Sequence, residues 1–125
     1  MVILDTCAVI ELCKEAPTFT GITEKRIAQS AAILSISFAE IACKVTAKKL
    51  QMAITPAALH RRIVQTEAIQ LLDIGAEDWL RAVDLDWPTH RDLADRLIVS
   101  YAQHHQYAIV SSDRAMKQFY GDVIW

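Results

Sequence analysis

The sequence predicts a three-layer α/β domain, with a mainly parallel central sheet flanked by helices. Three observations carry this. Short continuous apolar runs alternate with segments of helical periodicity along the 125 residues, the pattern of parallel strands joined by crossover helices. Only 3 Gly and 3 Pro are present, too few for a turn-dense β-sandwich or a Gly-rich phosphate loop. With 53% hydrophobic and 22% charged residues, the chain can bury a core and is not disordered. The length fits a single domain over residues 1–125.

The elements follow in order. Residues 2–4 form the short apolar run expected of a buried parallel strand. Ala8, Val9, Leu12 and Cys13 then fall at helical spacing. After a loop holding Pro17 and Gly21, Thr23 is placed to cap a short helix through about residue 29. Residues 31–36 read as a second buried strand. Ser37-Phe-Ala-Glu40 has the capping-box pattern and opens a helix to about residue 49. Thr55-Pro56 sets an N-cap ahead of a proline at the first helical position, and that helix runs to about residue 66. Residues 69–74 are a third strand and 76–85 a helix. A loop over 87–91 leads to Asp92, which caps a helix carrying Leu93, Leu97, Ile98, Tyr101 and Ala102. Residues 107–110 make a fourth strand, 114–120 a short helix, and 123–125 a final edge strand.

Charge and hydropathy narrow the function classes. A net charge of −2, from 13 basic and 15 acidic residues, excludes coating nucleic acid by bulk positive charge but leaves room for a nucleic-acid enzyme with local basic groups. The longest apolar stretch, around residues 31–39, is broken by Ser35 and Ser37, far short of the roughly 20 residues of a membrane helix. MVILDT lacks the basic start of a signal peptide. Cys7, Cys13 and Cys43 form no even set and no CxxC pair, which reads as small buried hydrophobes in a reducing cytoplasm.

Open parallel sheets bind ligands outside the carboxyl ends of their strands, and those positions here are acidic. Asp5 ends the first strand, Glu40 lies in the first turn after the second, and Asp113 follows the fourth by two residues. Asp95 lies in the first turn of the helix before the fourth strand, with Asp92 one turn earlier. Carboxylates clustered without basic partners repel one another, and a divalent cation resolves the conflict. Oxygen donors alone suit Mg²⁺ or Mn²⁺, the ions of metal-assisted phosphodiester cleavage. Each acid also has a plain structural reading: Asp92 as an N-cap, Glu40 as half of the Ser37 capping box, Asp95 and Asp113 as charges favourable at helix N-termini. It is their joint placement that points to a metal site.

Other residues carry less. His60, His90, His104 and His105 show no HExxH spacing and read as solvated surface. Trp79, Trp87 and Trp125 fit core or interface positions. Lys44 and Lys48 are spaced to share one face of the helix after Glu40, either a solvated face or a basic margin guiding RNA phosphates. Arg96, next to Asp95, is a weaker candidate for phosphate or partner contact.

With these residues in hand, the chain resembles a PIN-domain ribonuclease, specifically the VapC-type toxin of bacterial toxin–antitoxin pairs. The carriers are ILDTCAVIEL near the start, SISFAEIACKV in the middle and HRDLADRLIVSYAQHHQYAIVSSDRAMKQFYGDVIW at the end. The resemblance spans essentially the whole chain, through motifs specific as a set and weak singly. It implies a PIN fold and places four catalytic, metal-holding acids at Asp5, Glu40, Asp95 and Asp113. Thr6 and Ser111 match supporting hydroxyl residues. It further implies Mg²⁺- or Mn²⁺-dependent cleavage of tRNA, rRNA or mRNA, a homodimer, and a cognate antitoxin whose C-terminal segment enters the active-site groove. Two departures stand out: Leu93 follows Asp92 where the family often has Pro, which bears on a metal role for Asp92, and Ser111 replaces a common Thr.

Rival readings fit less well. A haloacid-dehalogenase-like phosphatase needs a second Asp two positions after the first, where this chain has Cys7. A receiver domain wants paired acids at the first strand, and a dinucleotide fold wants GxGxxG. The alternative from another class is a catalytically silent PIN-like module that binds RNA or protein. Four intact acids favour the enzyme.

Overall fold

The computed structural model describes residues 1–125. Its elements are β1 (Val2–Leu4), α1 (Thr6–Leu12), α2 (Gly21–Gln29), β2 (Ala31–Leu34), α3 (Ile36–Thr46), α4 (Pro56–Val64), β3 (Ile69–Leu72), α5 (Ala76–Asp84), α6 (Leu93–His105), β4 (Ala108–Val110), α7 (Arg114–Phe119) and β5 (Val123–Ile124). The sheet order is β3-β2-β1-β4-β5, and every pairing is parallel. The mainly parallel sheet expected from sequence is therefore wholly parallel.

Strand periodicity sorts the core into two layers. Val2, Leu4, Ile33 and Val110 pack with Val9, Ile27, Ile41 and Leu59 from α1 to α4. Ile3, Leu34 and Ile109 pack with Ala82, Leu97, Ile98 and Met116 from α5, α6 and α7. All residues of β1, β2 and β4 are buried, which is why these strands read as unbroken apolar runs.

The chain leaves β1 toward β2 and β3 on one side, then crosses to the other side for β4 and β5. The carboxyl ends of β1 and β4 flank the point where connections diverge, the place where such sheets form a crevice. Asp5 follows β1 directly and Ser111 follows β4 directly.

Local chemistry differs from the sequence expectations at four places. Thr20, not Thr23, caps α2, and Thr23 is buried behind it. The Ser37 capping box does not form. The second strand stops at Leu34, the Ser35 N–H bonds the Leu72 carbonyl, and α3 starts at once with Ile36. Ser37 then lies inside the helix, fully buried. Lys48 lies beyond the end of α3 at a positive φ of 56°, so it does not share a helical face with Lys44. Cys43 is exposed, and Cys7 and Cys13 are half-buried; none is the fully buried hydrophobe expected.

Candidate active site

The acids come to the crevice on helix starts. Asp5 is the N-cap of α1 and its Oδ1 accepts from the Cys7 N–H at 2.6 Å. Asp113 is the N-cap of α7 and accepts from the Met116 N–H at 2.8 Å. Asp92 caps α6 through the Asp95 N–H at 3.0 Å. Short acidic side chains are favoured at N-caps because they take up orphan N–H groups and oppose the helix dipole. These acids are thus structural caps whose carboxylates also face one cleft of about 510 Å³.

Asp5, Glu40, Asp92, Asp95 and Asp113 all line that cleft, with Thr6, Cys7, Lys44, Ser112 and Arg114. Hydroxyls fix two of the acids. The Ser111 hydroxyl donates to Asp5 Oδ2 and accepts from the Asp113 N–H at 3.0 Å, joining the ends of β1 and β4. Thr6 Oγ1 stands 2.6 Å from Glu40 Oε1 and 3.1 Å from Ser37 Oγ. A hydroxyl has one hydrogen, and the carboxylate is the stronger acceptor. Glu40 is therefore held across from α1 and takes no part in capping α3.

Asp95 sits where a capping-box acid would reach back to the N-cap. Its Oδ2 instead pairs with His90 Nε2 at 2.6 Å. His90 is thus the direct partner of one of the cleft acids, not the solvated surface residue expected from sequence. The one signal was a His in the loop just ahead of the acid-bearing helix.

The electrostatics are those of crowded carboxylates. Burial raises Asp5 above its ordinary value, hydrogen bonds from Ser111 and Cys7 oppose the rise, and the Asp113 charge adds to it. Burial likewise pushes Asp95 up to about 6, with Asp92 and Asp5 adding repulsion and His90 opposing it. Burial also raises the Cys7 thiol, so it is a poor nucleophile. Lys44 and Arg114 line the cleft but pair with none of the acids.

Arg96 does not face this cleft as a phosphate contact. Its guanidinium donates to five backbone carbonyls: Ala82 at 3.0 Å, Trp87 at 2.7 Å, His90 at 2.9 Å, Val83 at 3.0 Å, and Leu85. All five of its N–H donors are engaged. One residue further along α6 than Asp95, it points about 100° away around the helix. Lys44 is at the cleft and Lys48 is not among its lining residues.

Oxygen donors crowded in partly buried surroundings fit a hard divalent cation. No three His, Cys, Asp or Glu side chains are drawn close enough to clasp a bare ion. Ions such as Mg²⁺ keep several waters and take only one or two carboxylates directly.

A parallel sheet with acids gathered at its switch point defines a metal-compatible α/β cleft domain. Residues 2–122 match the family model described as PIN domain, and the chain belongs to that family. Among solved structures it is similar to a toxin-antitoxin complex from Klebsiella pneumoniae, with a TM-score of 0.69 and 19% identity over 100% of this chain and 97% of that one. It is similar to FitAcB from Neisseria gonorrhoeae at TM-score 0.59 and 20% identity, over 99% and 95% of the two chains. FitAB bound to the IR36 DNA fragment gives a TM-score of 0.56 and 21% identity, over 99% and 92%. At these identities the likeness is one of fold. No curated protein sequence matches the chain.

Proposed function

We propose that this PIN domain is a Mg²⁺- or Mn²⁺-dependent endoribonuclease acting as the toxin of a toxin–antitoxin pair. One observation carries the reading: acids delivered by four separate elements, Asp5, Glu40, Asp95 and Asp113, line a single cleft at the sheet's switch point. The PIN family match and the fold likeness to a toxin-antitoxin complex support it.

Asp5, Glu40, Asp95 and Asp113 would hold the cation, with Asp92 at the margin. A bound divalent ion supplies charge for the phosphoryl oxygens and lowers the pKa of an attacking water. Ser111 and Thr6 keep the Asp5 and Glu40 carboxylates from drifting apart, since each is tethered through a hydroxyl to a neighbouring element. Lys44 on α3 and Arg114 on α7 are free to meet phosphates on either side of the scissile bond. Such hydrolysis needs no covalent intermediate, which agrees with a cleft whose only thiol has a raised pKa.

The same reading includes a cognate antitoxin, a homodimer and a cytoplasmic setting. Large apolar side chains left exposed on α5, Leu80 at 66% and Val83 at 61%, support a covering partner. No helix is long and apolar enough to cross a membrane. The experiment is expression of the chain alone in a bacterial host. Growth should arrest, and Asp5→Asn, which keeps shape but removes charge, should relieve the arrest at equal protein levels. Arrest that persists with a soluble Asn variant refutes the nuclease reading.

A further inference from the structure

The loop ahead of α6 is built around one imidazole. Trp87 is buried and stacks on the Phe119 ring at 4.6 Å and 11°. On the Trp87 ring lies His90, at 3.9 Å and also 11°. Arg96 binds the carbonyls of both Trp87 and His90, so the backbone on which the ring hangs is clamped from below. The Trp87 carbonyl also accepts from the His90 N–H at 3.2 Å, closing the loop into a tight turn. The ring is thus fixed in plane by stacking and in position by its backbone. What it meets is Asp95 Oδ2, 2.6 Å from Nε2. Asp95 Oδ1 has no protein partner, and the residue lines the acidic cleft.

We propose that His90 is a positioning residue for the Asp95 carboxylate, held by Trp87 and Arg96 so that Oδ2 is tied back and Oδ1 is left for the cation. This rests on the metal reading given above. An orienting partner behind a ligating group commonly changes metal affinity by 10–100-fold. A loop that merely braced the fold would change stability and leave affinity alone.

Two substitutions separate these roles. His90→Phe keeps a flat ring for Trp87 and loses the hydrogen bond. His90→Gln gives up the stacking surface and keeps an N–H donor able to reach a carboxylate. Mn²⁺ binding by calorimetry on the metal-free protein is the readout, with thermal melts as control. The expected result is a loss of affinity of about 10–100-fold in His90→Phe, with His90→Gln recovering most of it although its melting temperature is the lower of the two. In the parent, ¹⁵N signals of the His90 ring should move on adding Mg²⁺ while those of exposed His104 and His105 stay put. This last measurement needs no variant and decides the matter should His90→Phe not fold. Parent-like affinity in His90→Phe, or an unmoved His90 signal in a parent that binds metal, overturns the proposal alone. A parent that binds neither Mn²⁺ nor Mg²⁺ overturns the metal reading and this inference with it.

Discussion

Asp95→Asn should stabilise the metal-free protein while abolishing its activity. The carboxyl rises from an ordinary 3.8 to about 6, chiefly through burial. Its ionisation at neutral pH therefore opposes folding by at most about 3 kcal/mol, taking 1.36 kcal/mol per unit. The side chain is 25% exposed, and solvent screening brings this to about 1–2 kcal/mol. Asn keeps an acceptor for His90 but loses the favourable charge in the first turn of α6, a loss of about 0.3–1 kcal/mol. The net gain is about 1 kcal/mol, a rise of roughly 4 °C in Tm for a domain of this size. A carboxyl whose folded pKa is raised stabilises the fold fully below 3.8, and that stability is lost as pH rises through about 6. The gap between variant and parent should therefore be open at pH 7.5, shrink below pH 6 and close near pH 4. Circular dichroism melts in EDTA at several pH values measure it. In saturating Mg²⁺ the order should invert, because the parent gains about 2.7 kcal/mol at 100-fold excess over Kd and the variant gains less. A variant no more stable than the parent at pH 7.5 in EDTA, or a gap indifferent to pH, refutes the reasoning.

Two further substitutions probe the scaffold. Arg96→Met removes the side-chain donor from five carbonyls, of which Leu85 and Trp87 keep a backbone N–H while Ala82, Val83 and His90 do not, and should cost about 3 kcal/mol; a urea midpoint unchanged from the parent would show that those three carbonyls are satisfied by water instead. Thr6→Val keeps the shape of the side chain but strips the hydroxyl from buried Ser37 and from Glu40. It should cost about 1–3 kcal/mol in equilibrium unfolding and weaken Mn²⁺ binding, whereas unaltered binding would make the Glu40 tether irrelevant to the site.

The fold was legible because the three inner strands, β1, β2 and β4, are buried on both faces. Apolar runs then mark strands without alternation, and the helices between them show their stripes. The strand ends were less legible. Ile36 and Ile74 extend the apolar pattern past the last pairings at Leu34 and Leu72, because a partly buried apolar residue at a helix start, such as Ile36, reads like more strand. The S-x-x-E pattern at Ser37 misled for the same reason: the helix had already begun. The placement of the acids was legible from topology, since Asp5, Asp95 and Asp113 lie at strand exits or helix starts and Glu40 lies one turn into the helix that follows β2. His90 was not, because its link to Asp95 runs through a loop whose shape is set by Trp87 stacking and by Arg96. No spacing rule encodes that geometry. Arg96 adjoins Asp95 in sequence yet does not line the acidic cleft, since one step along a helix already turns a side chain away from its neighbour's face.

The central claim is that acids from separate elements make one metal-dependent nuclease site, and Glu40→Gln in an RNA cleavage assay tests it most directly. Glu40 plays no part in capping α3, and Gln can still accept from Thr6, so the variant should fold and melt close to the parent. With Mn²⁺ or Mg²⁺ the parent should cleave RNA and EDTA should stop it, while the Gln variant should fall by orders of magnitude. A folded Glu40→Gln protein that cuts RNA as fast as the parent, or parent cleavage that survives EDTA, contradicts the claim.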